Sequence, residues 1–140
     1  SEDPLGPQKF VGTMTCTVTD VMVARGKGHN SGWLVKNLLQ PLPMPGQPEP
    51  GRLCVYGEEE HNSKRVLGFV LAAANIKSTD FWKSSADPYC VVNRTVVHEA
   101  DPEEGIDEDI ECIPIYRTEV ARRTGRPRFK AMEATASQLV

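Results

Sequence analysis

The sequence predicts an all-β fold of short antiparallel strands, and three observations carry that expectation. Apolar runs are brief, rich in β-branched residues and bounded by polar clusters, as half-buried strands are. Eleven prolines and eleven glycines interrupt a chain with only 6% aromatic residues, which implies many turns over a thin core. At 140 residues the chain is long enough for one domain that buries roughly two thirds of its unfolded surface.

Residues 1–9 (S-E-D-P-L-G-P-Q-K) are turn chemistry. Residues 10–23 then alternate: Val11, Met14, Cys16 and Val18 interleave with threonines at 13, 15, 17 and 19, which reads as a strand with one wet face. Residues 25–31 (R-G-K-G-H-N-S) form a polar turn whose glycines lack the spacing of a phosphate cradle. Residues 33–39 (W-L-V-K-N-L-L) read as a further strand. Five prolines among residues 40–50 favour an extended polyproline II spacer that resists both sheet and helix. A strand over 52–56 ends at Gly57, and Glu58, Glu59, Glu60 and His61 read as a hairpin turn before the apolar strand of residues 65–74.

Residues 75–89 (N-I-K-S-T-D-F-W-K-S-S-A-D-P-Y) form a polar loop between that strand and the next, and carry two carboxylates, Asp80 and Asp87. Pro88 biases Asp87 toward extended backbone and prevents a helix there. Two readings stay open for this loop: the aspartates cap turns, or they supply part of a calcium site, since calcium takes six to eight oxygen ligands. Residues 91–98 are β-patterned, and residues 99–111 hold eight acidic and no basic residues, a solvated insertion without EF-hand spacing. Residues 113–123 read as a strand. Arg117, Arg122, Arg123, Arg126, Arg128 and Lys130 then form the chain's cationic concentration, either a solvated counterweight to the acidic insertion or a surface for anionic headgroups.

The strand, the loop ending in S-A-D-P-Y and the strand after it resemble the first calcium-binding loop of a C2 domain. With residues 51–60 (G-R-L-C-V-Y-G-E-E-E) before it and Y-R-T-E-V at 116–120 after it, the pattern resembles the start of the second C2 domain of the copine family. Residues 10–21 resemble the closing strands of a copine's first C2 domain. The loop here lacks the family's glycine before Asp-Pro and is one residue longer.

The resemblance implies a C2-like antiparallel β-sandwich, incomplete or permuted. Residues 1–40 would close a first C2-like unit, 41–50 would link, and 51–140 would open a second. The missing strands would come from elsewhere in a larger chain or assembly, or the early strands would fold onto the later ones. It further implies calcium at Asp80 and Asp87, with Glu2 and Asp3 at the tail of a third loop, and lipid contacts from Phe81 and Trp82 at the loop tip and from Arg117, Arg122 and Arg123. The expected partners are an anionic phospholipid membrane and other protein chains that supply strands. The alternative is a calcium-independent C2-type scaffold that works through protein contacts.

Several classes are disfavoured by the residues themselves. A net charge of -3 gives no basic excess for nucleic acid. Cys16, Cys54, Cys90 and Cys112 form no C-x-x-C pair, so a zinc knuckle or redox motif is unsupported, and packed, reduced thiols suit a cytoplasmic location. No apolar run approaches the roughly 20 residues of a membrane span, so any membrane contact is expected to be peripheral. His29, His61 and His98 sit in polar or strand-edge contexts, and no catalytic constellation is recognisable, so an enzyme is not expected.

Overall fold

The computed structural model describes residues 10–40, 50–60, 66–77 and 86–139. They form an all-β, antiparallel, sandwich-like arrangement with two helices, as the strand patterning predicts. The elements in chain order are α1 (Val18–Lys27), a 3-10 turn (His29–Gly32), β1 (Leu34–Asn37), β2 (Arg52–Glu60), β3 (Val66–Ala74), β4 (Val91–His98), β5 (Asp109–Arg117), β6 (Met132–Thr135) and α2 (Ala136–Leu139). A four-stranded sheet has the order β1-β2-β3-β6, and β4 and β5 make a separate two-stranded ribbon.

β3 is the spine of the larger sheet. Its nine residues pair with β2 from Arg52↔Ala74 to Glu60↔Val66. On its other side β6 pairs with Val66 to Phe69, and the chain just before β6 completes that edge: the Ala73 amide donates to the Pro127 carbonyl and the Phe129 amide to the Leu71 carbonyl, both at 2.9 Å. Antiparallel partners share a face, so Val55, Phe69, Leu71, Met132 and Ala134 converge into one core around Phe129, only 2% exposed. Cys90 and Val92, at the root of the ribbon, pack against that core, while much of the rest of the ribbon stays exposed.

β1 and β2 are neighbours in register from Leu34↔Val55 to Asn37↔Arg52, so the segments on either side of residues 41–49 belong to one sheet. The first of the two departures from expectation lies just upstream. The strand expected over residues 10–23 is reduced to one bridge, Thr13↔Leu39, because a helix begins at Val18. Thr17 accepts from the Asp20 amide, and the Asp20 carboxylate accepts from the Thr17 amide, each at 3.0 Å. This reciprocal capping box satisfies two amides that a helix start leaves unpaired. Gly28, left-handed at φ 72, ends the helix. Val21 then lies directly above Gly57, where an added Cβ would come within 2.6 Å of its Cγ1. Local capping plus that socket outweighs the β preference of the threonine row.

The second departure concerns strand ends. β2 continues through Glu58 to Glu60, where a turn was expected, and β5 begins at Asp109, inside the expected acidic insertion, and stops at Arg117. The remainder of that insertion is a closed turn, with two backbone hydrogen bonds between Asp101 and Ile106. No helix among the described residues is long and apolar enough to cross a membrane.

Candidate functional site

The expected site residues fall into two groups. Asp80, Phe81 and Trp82, together with Glu2 and Asp3, lie outside the described residues. Asp87, Arg117, Arg122 and Arg123 are described, and they meet on one rim.

Two stretches without regular secondary structure build this rim. Residues 86–90 lead into β4, and residues 118–124 leave β5 and run back antiparallel to them. Thr118, Ala121 and Thr124 donate their amides to the carbonyls of Cys90, Pro88 and Ala86, each at 2.9 Å. The arrangement follows from sequence: Pro88 has no amide to give, so it takes part as an acceptor only. Thr118, 4% exposed, fixes the junction. Its hydroxyl accepts from the Cys90 amide at 2.8 Å and donates to the Glu119 carbonyl at 3.0 Å. Further along, Gly125 permits close approach to the segment that follows β3, because a Cβ there would sit 2.5 Å from the Ile76 carbonyl oxygen.

The polar side chains sit on this frame. Oδ1 of Asp87 accepts from the Arg123 amide at 2.6 Å, and its Oδ2 lies 4.0 Å from Nη1 of Arg122. Arg123 has φ 50, the left-handed region that costs a non-glycine residue energy, and the bond from Asp87 holds that turn. The Arg117 guanidinium stands 4.5 Å from the centre of the Tyr89 ring, a cation-π contact. Arg117, Arg122 and Arg123 are all exposed, so the rim presents three guanidiniums beside the partly exposed carboxylate of Asp87.

Calcium asks more of this rim than the described residues provide. One oxygen of Asp87 is bound by a backbone amide and the other faces a guanidinium. Among the described residues no group of three or more His, Cys, Asp or Glu could hold a metal ion. Asp87 alone does not fit a hard cation that takes six to eight oxygens; a site here needs further carboxylates, of which Asp80 is the candidate. The rim suits phosphate better, because guanidinium offers paired donors matched to phosphate oxygens.

Sequence reasoning missed Thr118 and Tyr89. Each acts through a partner 28 residues away, Cys90 and Arg117 respectively, a separation that no local pattern reveals. The cysteines are all free; Cys16, Cys54 and Cys90 are half-buried as expected, whereas Cys112 is exposed. Burial pushes the Cys90 thiol up to about 11, and it raises those of Cys16 and Cys54 as well, which keeps them protonated packing groups. A groove of about 500 Å³ between Tyr56, Val70, Tyr116 and Glu133 contains none of the expected site residues.

Antiparallel sheets with few helices are consistent with an all-β, C2-like sandwich fold. Comparison with known proteins points the same way. The chain is 26% identical to Protein BONZAI 2 of Arabidopsis thaliana over 138 residues and 26% identical to Protein BONZAI 1 of the same plant over 135. Each match covers 96% of this chain but 21% of the relative, so the chain spans about a fifth of the length of the curated relatives it matches. These similarities support a copine-family relationship. No family model matches the chain.

Proposed function

We propose that this chain is a copine-like, non-enzymatic C2 module that binds anionic phospholipid in a calcium-dependent manner, peripherally at cytoplasmic membrane surfaces. The observation that carries the reading is the convergence of Arg117, Arg122 and Arg123 with Asp87 on one rim. Each exposed guanidinium near an anionic bilayer contributes about 1 kcal/mol, so three give a reversible, salt-sensitive attachment. Phe81 and Trp82 would add interfacial contacts, since aromatic rings favour the headgroup zone. Calcium held between Asp80 and Asp87 would supply positive charge and open coordination positions for phosphate oxygens.

A second reading rests on a specific observation. Asp87 is already engaged by the Arg123 amide, with Arg122 alongside, which suits a calcium-independent C2-type scaffold that acts through contacts with other protein chains. Calorimetric titration with calcium, in the presence and absence of phosphatidylserine vesicles, separates the two. Heat that grows when vesicles are present supports the lipid module. No heat, together with no vesicle binding, rejects it in favour of the scaffold.

A further inference from the structure

The stretch that carries two of the rim arginines holds one hydroxyl among its charges. Residues 122–130 (R-R-T-G-R-P-R-F-K) contain five basic residues and no acidic one, with Thr124 as the sole Ser, Thr or Tyr. Thr124 closes the rim: its amide donates to the Ala86 carbonyl at 2.9 Å, and its Oγ1 accepts from the Arg126 amide at 3.0 Å. It is half-buried in a segment without regular secondary structure, between exposed Arg122, Arg123 and Arg126. Arg128 is turned elsewhere, over the Trp33 ring at 5.5 Å.

Two features of this turn suit a phosphoryl group on Oγ1. The Arg126 amide already points at that oxygen, so phosphate oxygens there inherit a backbone donor, the kind of contact by which loops hold anions. Guanidiniums at positions 122, 123 and 126 supply charge-assisted donors from both sides of the hydroxyl. The same flanks matter before the reaction. A kinase whose substrate cleft is lined with carboxylates reads arginines on either side of the acceptor through paired guanidinium–carboxylate bonds.

We propose that Thr124 is a phosphorylation site at which a basophilic protein kinase weakens the rim's attraction for anionic phospholipid; the switch rests on the lipid-binding reading above, and the modification itself does not. The γ-phosphoryl group of a nucleoside triphosphate passes to Thr124 Oγ1. Its bond to the bridging β–γ oxygen breaks as the new P–O bond forms, the nucleoside diphosphate leaves, and the hydroxyl proton goes to the kinase's catalytic base. Phosphothreonine brings about −1.5 to −2 charges at neutral pH. It therefore cancels most of the positive charge that Arg117, Arg122 and Arg123 bring to the rim, and it engages neighbouring guanidiniums that would otherwise meet headgroup phosphate. With the usual contribution per charge near an anionic surface, vesicle binding falls roughly thirtyfold.

The test incubates the folded chain with the catalytic fragment of protein kinase C and magnesium ATP, maps phosphate by tandem mass spectrometry, and measures co-sedimentation with phosphatidylserine vesicles in calcium before and after. The expected result is phosphate on Thr124 and none at that position in Thr124→Val, roughly thirtyfold weaker vesicle binding with the melting transition retained, and recovery on phosphatase treatment. Two further variants separate charge from bulk without a kinase: Thr124→Glu binds vesicles about fivefold more weakly than its neutral isostere Thr124→Gln. No phosphate on Thr124, phosphate that unfolds the chain or leaves vesicle binding unchanged, or Glu and Gln variants that bind alike each overturn the inference. An unmodified chain that ignores phosphatidylserine vesicles while Thr124 takes phosphate refutes the lipid reading and the switch with it, and leaves the modification standing.

Discussion

Asp87 and Arg123, 36 residues apart in sequence, are joined by a 2.6 Å hydrogen bond from the Arg123 amide to Asp87 Oδ1. The bond clamps the loop end of residues 86–90 to the turn that follows β5, and so fixes where the rim guanidiniums stand. Removing the acceptor with Asp87→Ala costs about 1 kcal/mol of stability, the usual value for one partly exposed hydrogen bond. Asp87→Asn retains an oxygen acceptor and loses less. Urea denaturation of the two variants beside the wild type checks the order.

Arg123 separates the fold from the function. Its φ of 50 is unfavourable for a side chain and free of cost for glycine. Arg123→Gly therefore leaves stability unchanged or raises it by up to about 1 kcal/mol, while it removes one of three cations and weakens vesicle binding. On one preparation, the melting temperature should hold or rise while vesicle co-sedimentation falls.

Thr118 is the buried bracket of the rim. Thr118→Val keeps the shape but leaves the Cys90 amide without its 2.8 Å acceptor. An orphaned buried donor costs about 1–3 kcal/mol, so this variant is less stable than Thr118→Ser, which keeps the hydroxyl. Chemical denaturation of the pair measures the difference.

Cys90 gives the fold an alkaline limit. Its thiol, ordinarily ionising near 9.0, is held protonated up to about 11 by burial. Between those values the folded chain retains a proton that the unfolded chain has released, so stability falls as pH rises through that window. Cys90→Ala flattens this part of the stability profile. Alkylation at mildly alkaline pH labels exposed Cys112 well before Cys90.

Much of the sheet was legible in the sequence because its signals are local. β1, β3 and β4 follow apolar or alternating runs bounded by turn residues. α1 was obscured by the threonines at 13, 15, 17 and 19, whose β preference masked the Thr17-x-x-Asp20 capping box. That box is the local signal that sets the start of the helix. The rim was legible only as a list of residues. That Asp87 would meet Arg122 and Arg123, or that Tyr89 would carry Arg117, depends on residues 118–124 folding back along 86–90, a non-local pairing that spacing does not encode.

The central claim is that the rim recognises anionic phospholipid, and vesicle co-sedimentation addresses it most directly. The wild type and an Arg117→Ala, Arg122→Ala, Arg123→Ala triple variant are compared on phosphatidylserine and phosphatidylcholine vesicles, with calcium and with a chelator. The account predicts that the wild type sediments with phosphatidylserine in calcium and not with phosphatidylcholine. At about 1 kcal/mol per lost cation, the triple variant binds roughly a hundredfold more weakly. A wild type that stays in the supernatant under every condition, or a triple variant that binds as well as the wild type, would contradict it.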